Sequence, residues 1–156
     1  MRINFIIFVY IKIILINKNY QIMSTSTLKE QKSATLNAEI ATFIGKIFSF
    51  NNSLKLYHWH VTGKGSYSQH IALDQALEDL LDVTDRLVET SYAVKGDLDI
   101  VIPETKNPSD IVKHAEDFFK YTESQRELFA EAFTQAIIDD YQEAIQQLLY
   151  RLKRLQ

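Results

Sequence analysis

Residues Tyr57 to Glu89 read YHWHVTGKGSYSQHIALDQALEDLLDVTDRLVE. The stretch opens on His58-Trp59-His60, turns through Thr62-Gly63-Lys64-Gly65, and continues as a helical pattern carrying His70, Asp74, Glu78, Asp79, Asp82, Asp85 and Glu89. His70/Asp74 and Asp85/Glu89 are each spaced i,i+4, which puts both members of a pair on one helix face. With His70 as zero on a helical wheel, Asp74, Asp85 and Glu89 fall at roughly 40°, 60° and 100°, and Leu73, Leu77, Leu80, Thr84 and Leu87 between roughly −20° and −100°. A stripe of ligand-type residues therefore runs beside the apolar stripe, at the rim of the subunit core or facing away from it.

Upstream, apolar residues at 36, 40, 43, 47, 50, 54, 57 and 61 alternate steps of four and three, the mark of a long amphipathic helix. Gly63 and Gly65 stop it, and a second helix runs from about Ser68 to Lys95, with Gly96 as its C-cap. Residues 96–107 hold Pro103 and the β-rich Ile100-Val101-Ile102, with Pro108 directly after. Asn107-Pro108-Ser109-Asp110 then supplies an N-cap, an N1 proline and an early acid for a third helix. Its apolar positions 111, 115, 118, 122, 125 and 129 give way to a fourth pattern at Ile137/Ile138, Tyr141, Ile145, Leu148, Leu152 and Leu155. A break near Ala130–Thr134 is expected, because a single continuous helix would leave its stripe without a local partner.

Four long helices with short first and last turns read as an all-α four-helix bundle. The 12-residue middle linker reaches about 40 Å if extended, enough to cross the length of a 20-residue helix at about 30 Å. An up-down-down-up bundle with an extended crossover is the expected fold.

Fifteen positions separate His70 from Asp85, roughly 22 Å along a helix. One ion cannot bind both, since metal-to-oxygen and metal-to-nitrogen bonds are only about 2.0–2.2 Å long. A joint site needs two copies of the helix, antiparallel across a two-fold axis.

The run His58-Trp59-x-Val61-x-Gly63, followed by His70, Asp74 and Asp85-x3-Glu89, resembles the Dps mini-ferritins of the ferritin-like superfamily. The likeness rests on the His-to-His interval of 12, the His-to-Asp interval of 15 and the Trp directly after the first His. It implies a ferritin-like bundle and an intersubunit ferroxidase centre, with His58 and His70 from one subunit and Asp74, Asp85 and Glu89 from its dimer mate as iron ligands. It further implies a cytoplasmic iron-binding and iron-storage protein that oxidises Fe²⁺ with hydrogen peroxide or oxygen. Such a protein sequesters ferric iron and protects against oxidative damage as a homo-oligomer, a dimer at minimum and a dodecameric shell at full assembly. The chain departs from the family pattern in three places: Thr90 follows Glu89 where an Arg is usual, Ser66-Tyr67-Ser68 replaces the Phe before the second His, and the linker after Glu89 is short.

Two other readings stand beside this one. An internal di-metal site built from Glu and Glu-x-x-His has no matching motif, since the last helix offers Asp139, Asp140 and Glu143 without a histidine. A ferritin-like structural or interaction protein without redox activity needs only the bundle. His60 and His114 read as surface or internally satisfied residues, and Trp59 as a packing residue.

The 156 residues, 46% hydrophobic and 24% charged, suit one domain with a real core. A net charge of −3 gives no bulk attraction to nucleic acid, and DNA binding would have only Lys29 and Lys32 near the N-terminus and Arg151, Lys153 and Arg154 at the C-terminus to draw on. With no cysteine, metal ligands must be nitrogen or oxygen. In residues 1–22, Ile, Asn, Lys, Phe and Tyr fill 17 of 22 positions, the residue types of A/T-rich codons. The expectation is a translated upstream region with the start at Met23, ahead of a degenerate signal or anchor. No stable membrane association is expected. Residues 23–34 then read as a polar N-terminal tail and 35–156 as the bundle.

Overall fold

The computed structural model describes the backbone of residues 2–154 and the side chains of residue 18 and residues 25–154. Among these, every regular element is helical: α1 Arg2–His60, α2 Ser66–Lys95, α3 Ile111–Ser124, a 3₁₀ turn at Arg126–Leu128, and α4 Ala132–Arg154. By contact the chain divides into two units, 1–37 and 38–156. The first is a helical segment whose residues 25–34 are exposed, so the stretch expected as a polar tail is polar and solvated, but wound as helix. The reading of residues 1–22 as an upstream extension lies outside the residues whose side chains are described, Lys18 apart. No helix among the described residues is long and apolar enough to cross a membrane.

The second unit is four helices packed together. In α1, Ile40, Phe43, Ile47, Phe50 and Leu54 are buried, every member of the expected stripe between positions 40 and 54. In α2, Leu73, Leu77, Leu80, Thr84 and Leu87 are buried, and Ala72, Ala76 and Val83 widen the face. In α4, Ile137, Ile138, Tyr141, Ile145, Leu148 and Leu152 do the same. Burying one such Leu or Ile side chain is worth about 1.5–3 kcal/mol relative to leaving it in water.

Side-chain contacts fix the helix directions. α1 and α2 are antiparallel: Lys55 and His58 meet Asp74, and Asn51 donates to Thr84 Oγ1 at 3.0 Å. α3 is antiparallel to α1, with Phe50 stacked on Phe118 and Phe43 against Tyr121. α4 runs alongside α1: Phe129, just ahead of it, packs on Phe43, and Tyr141 donates to Asn51 Oδ1 at 2.8 Å. Asn51 thus joins three helices through a fully buried tyrosine whose hydroxyl burial pushes well above its usual range.

Two turns depend on glycine. Gly63 and Gly65 hold φ of 89° and 82°, a left-handed turn that lets α2 begin at Ser66 without a side-chain cap. The crossover passes so close to Gly45 that a Cβ there would overlap the Val101 carbonyl. Ser49 then meets Thr105 at 3.1 Å, so this segment travels along α1 before α3 turns back.

Two boundaries differ from the sequence reading. Asp110, rather than Asn107, caps α3 by accepting from the Lys113 amide at 2.9 Å, so Pro108 lies ahead of the helix and not in its first turn. The break before α4 opens at Gln125 and extends to Glu131, earlier than Ala130–Thr134. Arg126 explains it, binding Glu123 at 3.0 Å, Asp139 at 2.7 Å and Gln142 at 2.7 Å, and thereby holding the 3₁₀ turn against α4.

Candidate functional site

His58 lies in the last turn of α1, and His70 and Asp74 in the first three turns of α2, so the antiparallel pairing brings all three to one end. His58 Nε2 is 3.1 Å from Asp74 Oδ1. The two imidazoles meet edge to face, centroids 4.4 Å apart at 89°. Lys55, three residues before His58, puts its Nζ 3.2 Å from the same Asp74 oxygen and 5.7 Å from the Trp59 ring.

Electrostatics ties these groups to one carboxylate. Partial burial would raise the Asp74 carboxyl, but the Lys55 hydrogen bond and the nearby His58 and Lys55 charges outweigh it and hold the group below its usual range. With Nε2 turned to Asp74, His58 Nδ1 is buried without a hydrogen-bond partner among the described residues. A buried polar atom left so costs about 1–3 kcal/mol. A neutral ring that donates from Nε2 carries its lone pair at Nδ1.

Asp85 and Glu89 are elsewhere. Both are exposed on α2, Asp85 roughly 22 Å and Glu89 roughly 28 Å down the helix from His70. Neither has a hydrogen-bond or ion-pair partner among the described residues. Of the five residues singled out from the sequence, three are thus gathered and two are not. Asp74, expected from the dimer mate's side of the centre, sits beside His58 of its own chain. No group of three or more His, Asp or Glu side chains among the described residues is arranged to hold a metal ion within one chain.

The remaining sequence candidates have ordinary partners or none. His60 is exposed. His114 is half-buried, stacked on Phe50, with its Nε2 2.6 Å from Ser53 Oγ. Trp59 is 67% exposed, so it is not a core packing residue of this chain. Asp139 pairs with Arg126 and Asp140 with Arg86 at 3.1 Å, which places arginines where an internal di-metal site would need open carboxylates. In the basic C-terminal turn, Lys153 pairs with Glu116 at 2.7 Å and Arg151 with Gln147 at 3.3 Å.

Lys55 is the residue that sequence reading passed over. Its signal was its position three residues before His58, which sets the two side chains on one face of α1.

Residues 58–152 match a family described as a family of unknown function, DUF5856. The chain belongs to this family. The DUF5856 match opens on His58 itself and takes in His70, Asp74, Asp85, Glu89 and the whole of α2 and α3. No curated protein and no solved structure matches the chain.

Proposed function

We propose that this chain is one subunit of a Dps-like mini-ferritin that oxidises Fe²⁺ at sites shared between two antiparallel copies and keeps the ferric product within a homo-oligomeric shell. The observation that carries this reading is the contrast along α2. His58, His70 and Asp74 gather at one end, while Asp85 and Glu89 stand exposed, and unpartnered among the described residues, about 22–28 Å along the helix from His70. A second copy related by a two-fold axis lays its Asp85 and Glu89 against the first copy's histidines, and does so twice per dimer. The helix directions and the crossover along α1 support the ferritin-like up-down-down-up arrangement.

The donor set suits iron as a substrate. Imidazole binds Fe²⁺, and hard carboxylate oxygens favour the more charged Fe³⁺. Two histidines from one side and two carboxylates from the other leave coordination positions open to the oxidant. Lys55 bears on the same step: its ammonium occupies Asp74, so Asp74 becomes available to a cation only as that contact loosens. The same lysine favours the second reading, in which Lys55, His58 and Asp74 fasten the end of a bundle that does no redox chemistry.

Ferrous oxidation followed optically separates the two. The variant His58→Ala/His70→Ala should fall to the rate of iron in buffer, with its helical signal retained. Equal rates in the variant and the unmodified protein would remove the ferroxidase reading and leave the scaffold.

A further inference from the structure

A second chemistry-bearing region lies on another face of α1 and shares no residue with the His58 cluster. A slot of about 330 Å³ opens between α1, the crossover and α3, within the size range of small-ligand sites. Its wall is aromatic. The Phe50 and Phe118 rings lie nearly parallel, 4.0 Å apart at 4°, and the His114 ring extends the stack at 5.2 Å and 29°.

Polar groups stand at fixed places along that wall. Ser53 Oγ donates to the Phe50 carbonyl at 2.6 Å and lies 2.6 Å from His114 Nε2. With the serine's one proton on the Phe50 carbonyl, the imidazole donates from Nε2, and Nδ1 is then the acceptor. No protein group among the described residues donates to it. Burial holds His114 below its usual range and against protonation, with Asp117 opposing only in part. Asp117 is itself taken by Lys113 at 2.8 Å.

The charge that faces the slot is positive. The Lys46 ammonium lies 4.5 Å from the Tyr121 ring and has no carboxylate partner among the described residues. On the rim, Lys106 is paired with Glu104 at 3.6 Å. Lys46 and Ser53 are seven residues apart on α1, on one face and about 10 Å along its axis. The site therefore offers an unneutralised cation at one end, an apolar wall built on the Phe50–Phe118 stack, and an acceptor at the other.

We propose that this slot binds a small planar aromatic acid that also carries a hydroxyl, its carboxylate at Lys46, its ring along Phe50 and Phe118, and its hydroxyl donating to His114 Nδ1. Shape selects flatness, the lysine selects the anion, and the imidazole selects the donor. Each requirement is separable by choice of probe.

The test is a titration of the full chain with 4-hydroxybenzoate, watched through the His114 ring signals by NMR. Saturable shifts are expected. Benzoate lacks the donor and phenol lacks the carboxylate, and each should bind roughly tenfold more weakly, the worth of one good hydrogen bond or charge contact. Cyclohexanecarboxylate, which is not flat, should not saturate. Lys46→Gln, at an exposed position that the fold does not depend on, should weaken 4-hydroxybenzoate by a similar factor and leave phenol unchanged. Absence of saturable shifts at millimolar probe, equal binding of cyclohexanecarboxylate, or indifference to Lys46→Gln would each overturn the proposal.

Discussion

The two ends of α2 both carry exposed or half-exposed carboxylates and have opposite surroundings. At the N-terminal end, Asp74 shares one oxygen between Lys55 and His58, and His70 abuts the His58 ring. Toward the C-terminal end, Asp85 and Glu89 point from the same helix into water, unpaired among the described residues, while their neighbours Val83, Thr84 and Leu87 are buried. A carboxylate on a solvated helix face is common and by itself means nothing. What gives the far end meaning is the near end, where imidazoles are collected with one nitrogen, His58 Nδ1, left unsatisfied. One end has nitrogen donors with a single carboxylate, and the other has carboxylates without nitrogen donors.

The largest effect on this contrast should come from Asp85→Lys. In the proposed shared site the substitution would put an ammonium where an anion is needed, at about 4 Å or less from a bound cation, where unlike charges gain and like charges lose the most. Titration with Zn²⁺ as a redox-inert stand-in should show specific binding lost. The melting temperature should hardly move, because exposed positions without partners usually shift stability by no more than about 0.5 kcal/mol. Asp139→Asn, which alters a carboxylate held by Arg126, should leave Zn²⁺ binding intact. Unchanged binding in Asp85→Lys would separate the two ends of α2 for good.

A mixing experiment sharpens the same point. His58→Ala/His70→Ala chains lack the nitrogen end, and Asp85→Lys/Glu89→Gln chains lack the carboxylate end. Each homodimer should be inactive, but a mixed dimer regains one complete site out of two. Refolding the two variants together in equal amounts makes half the dimers mixed, so ferrous oxidation should return to roughly a quarter of the unmodified rate by two-fold symmetry. Activity that never exceeds that of the separate variants would exclude a site shared across antiparallel copies.

Much of this geometry was legible from residue spacing. The α2 apolar stripe was, because Leu73, Leu77, Leu80, Thr84 and Leu87 recur with the helical period and all five are buried. The separation of His70 from Asp85 was also legible, since rise per residue is fixed once the helix is granted. Other features depended on contacts that no local pattern announces. The early end of α3 is set by Arg126 reaching Asp139 and Gln142 on the next helix. The α3 cap moved to Asp110 because a side chain that accepts the Lys113 amide outcompetes a mere residue preference at Asn107. The pairing of Asp74 with Lys55 and His58 required knowing how far α1 and α2 slide past each other, which the intervening glycine turn decides.

Lys55→Met should act in the opposite direction to the carboxylate-end substitution. Removing the ammonium frees Asp74 Oδ1 while keeping the apolar stem that runs beside Trp59. Zn²⁺ affinity should rise several-fold, the scale of losing one screened like-charge neighbour. If Asp74 takes no part in the site, affinity should stay as it was.

The smallest expected effect is on stability and follows from the same shared carboxylate. Asp74 has its folded-state carboxyl lowered from 3.8 by the Lys55 and His58 contacts, against the opposing pull of partial burial. Between the lowered value and 3.8, the unfolded chain binds the proton and the folded chain does not. The stabilisation is therefore complete above about 3.8 and disappears as pH falls through the folded value. Because the Asp74 side chain is 47% exposed, water screens the pair, and its worth is that of a surface ion pair, at most about 1 kcal/mol. Asp74→Asn should thus lower the melting temperature slightly at pH 7 and not at all once the pH is below the lowered folded value, with the two thermal curves converging as acid is added. A difference that grows on acidification would mean that Asp74 is held by something other than Lys55 and His58, and the two ends of α2 would then differ for another reason.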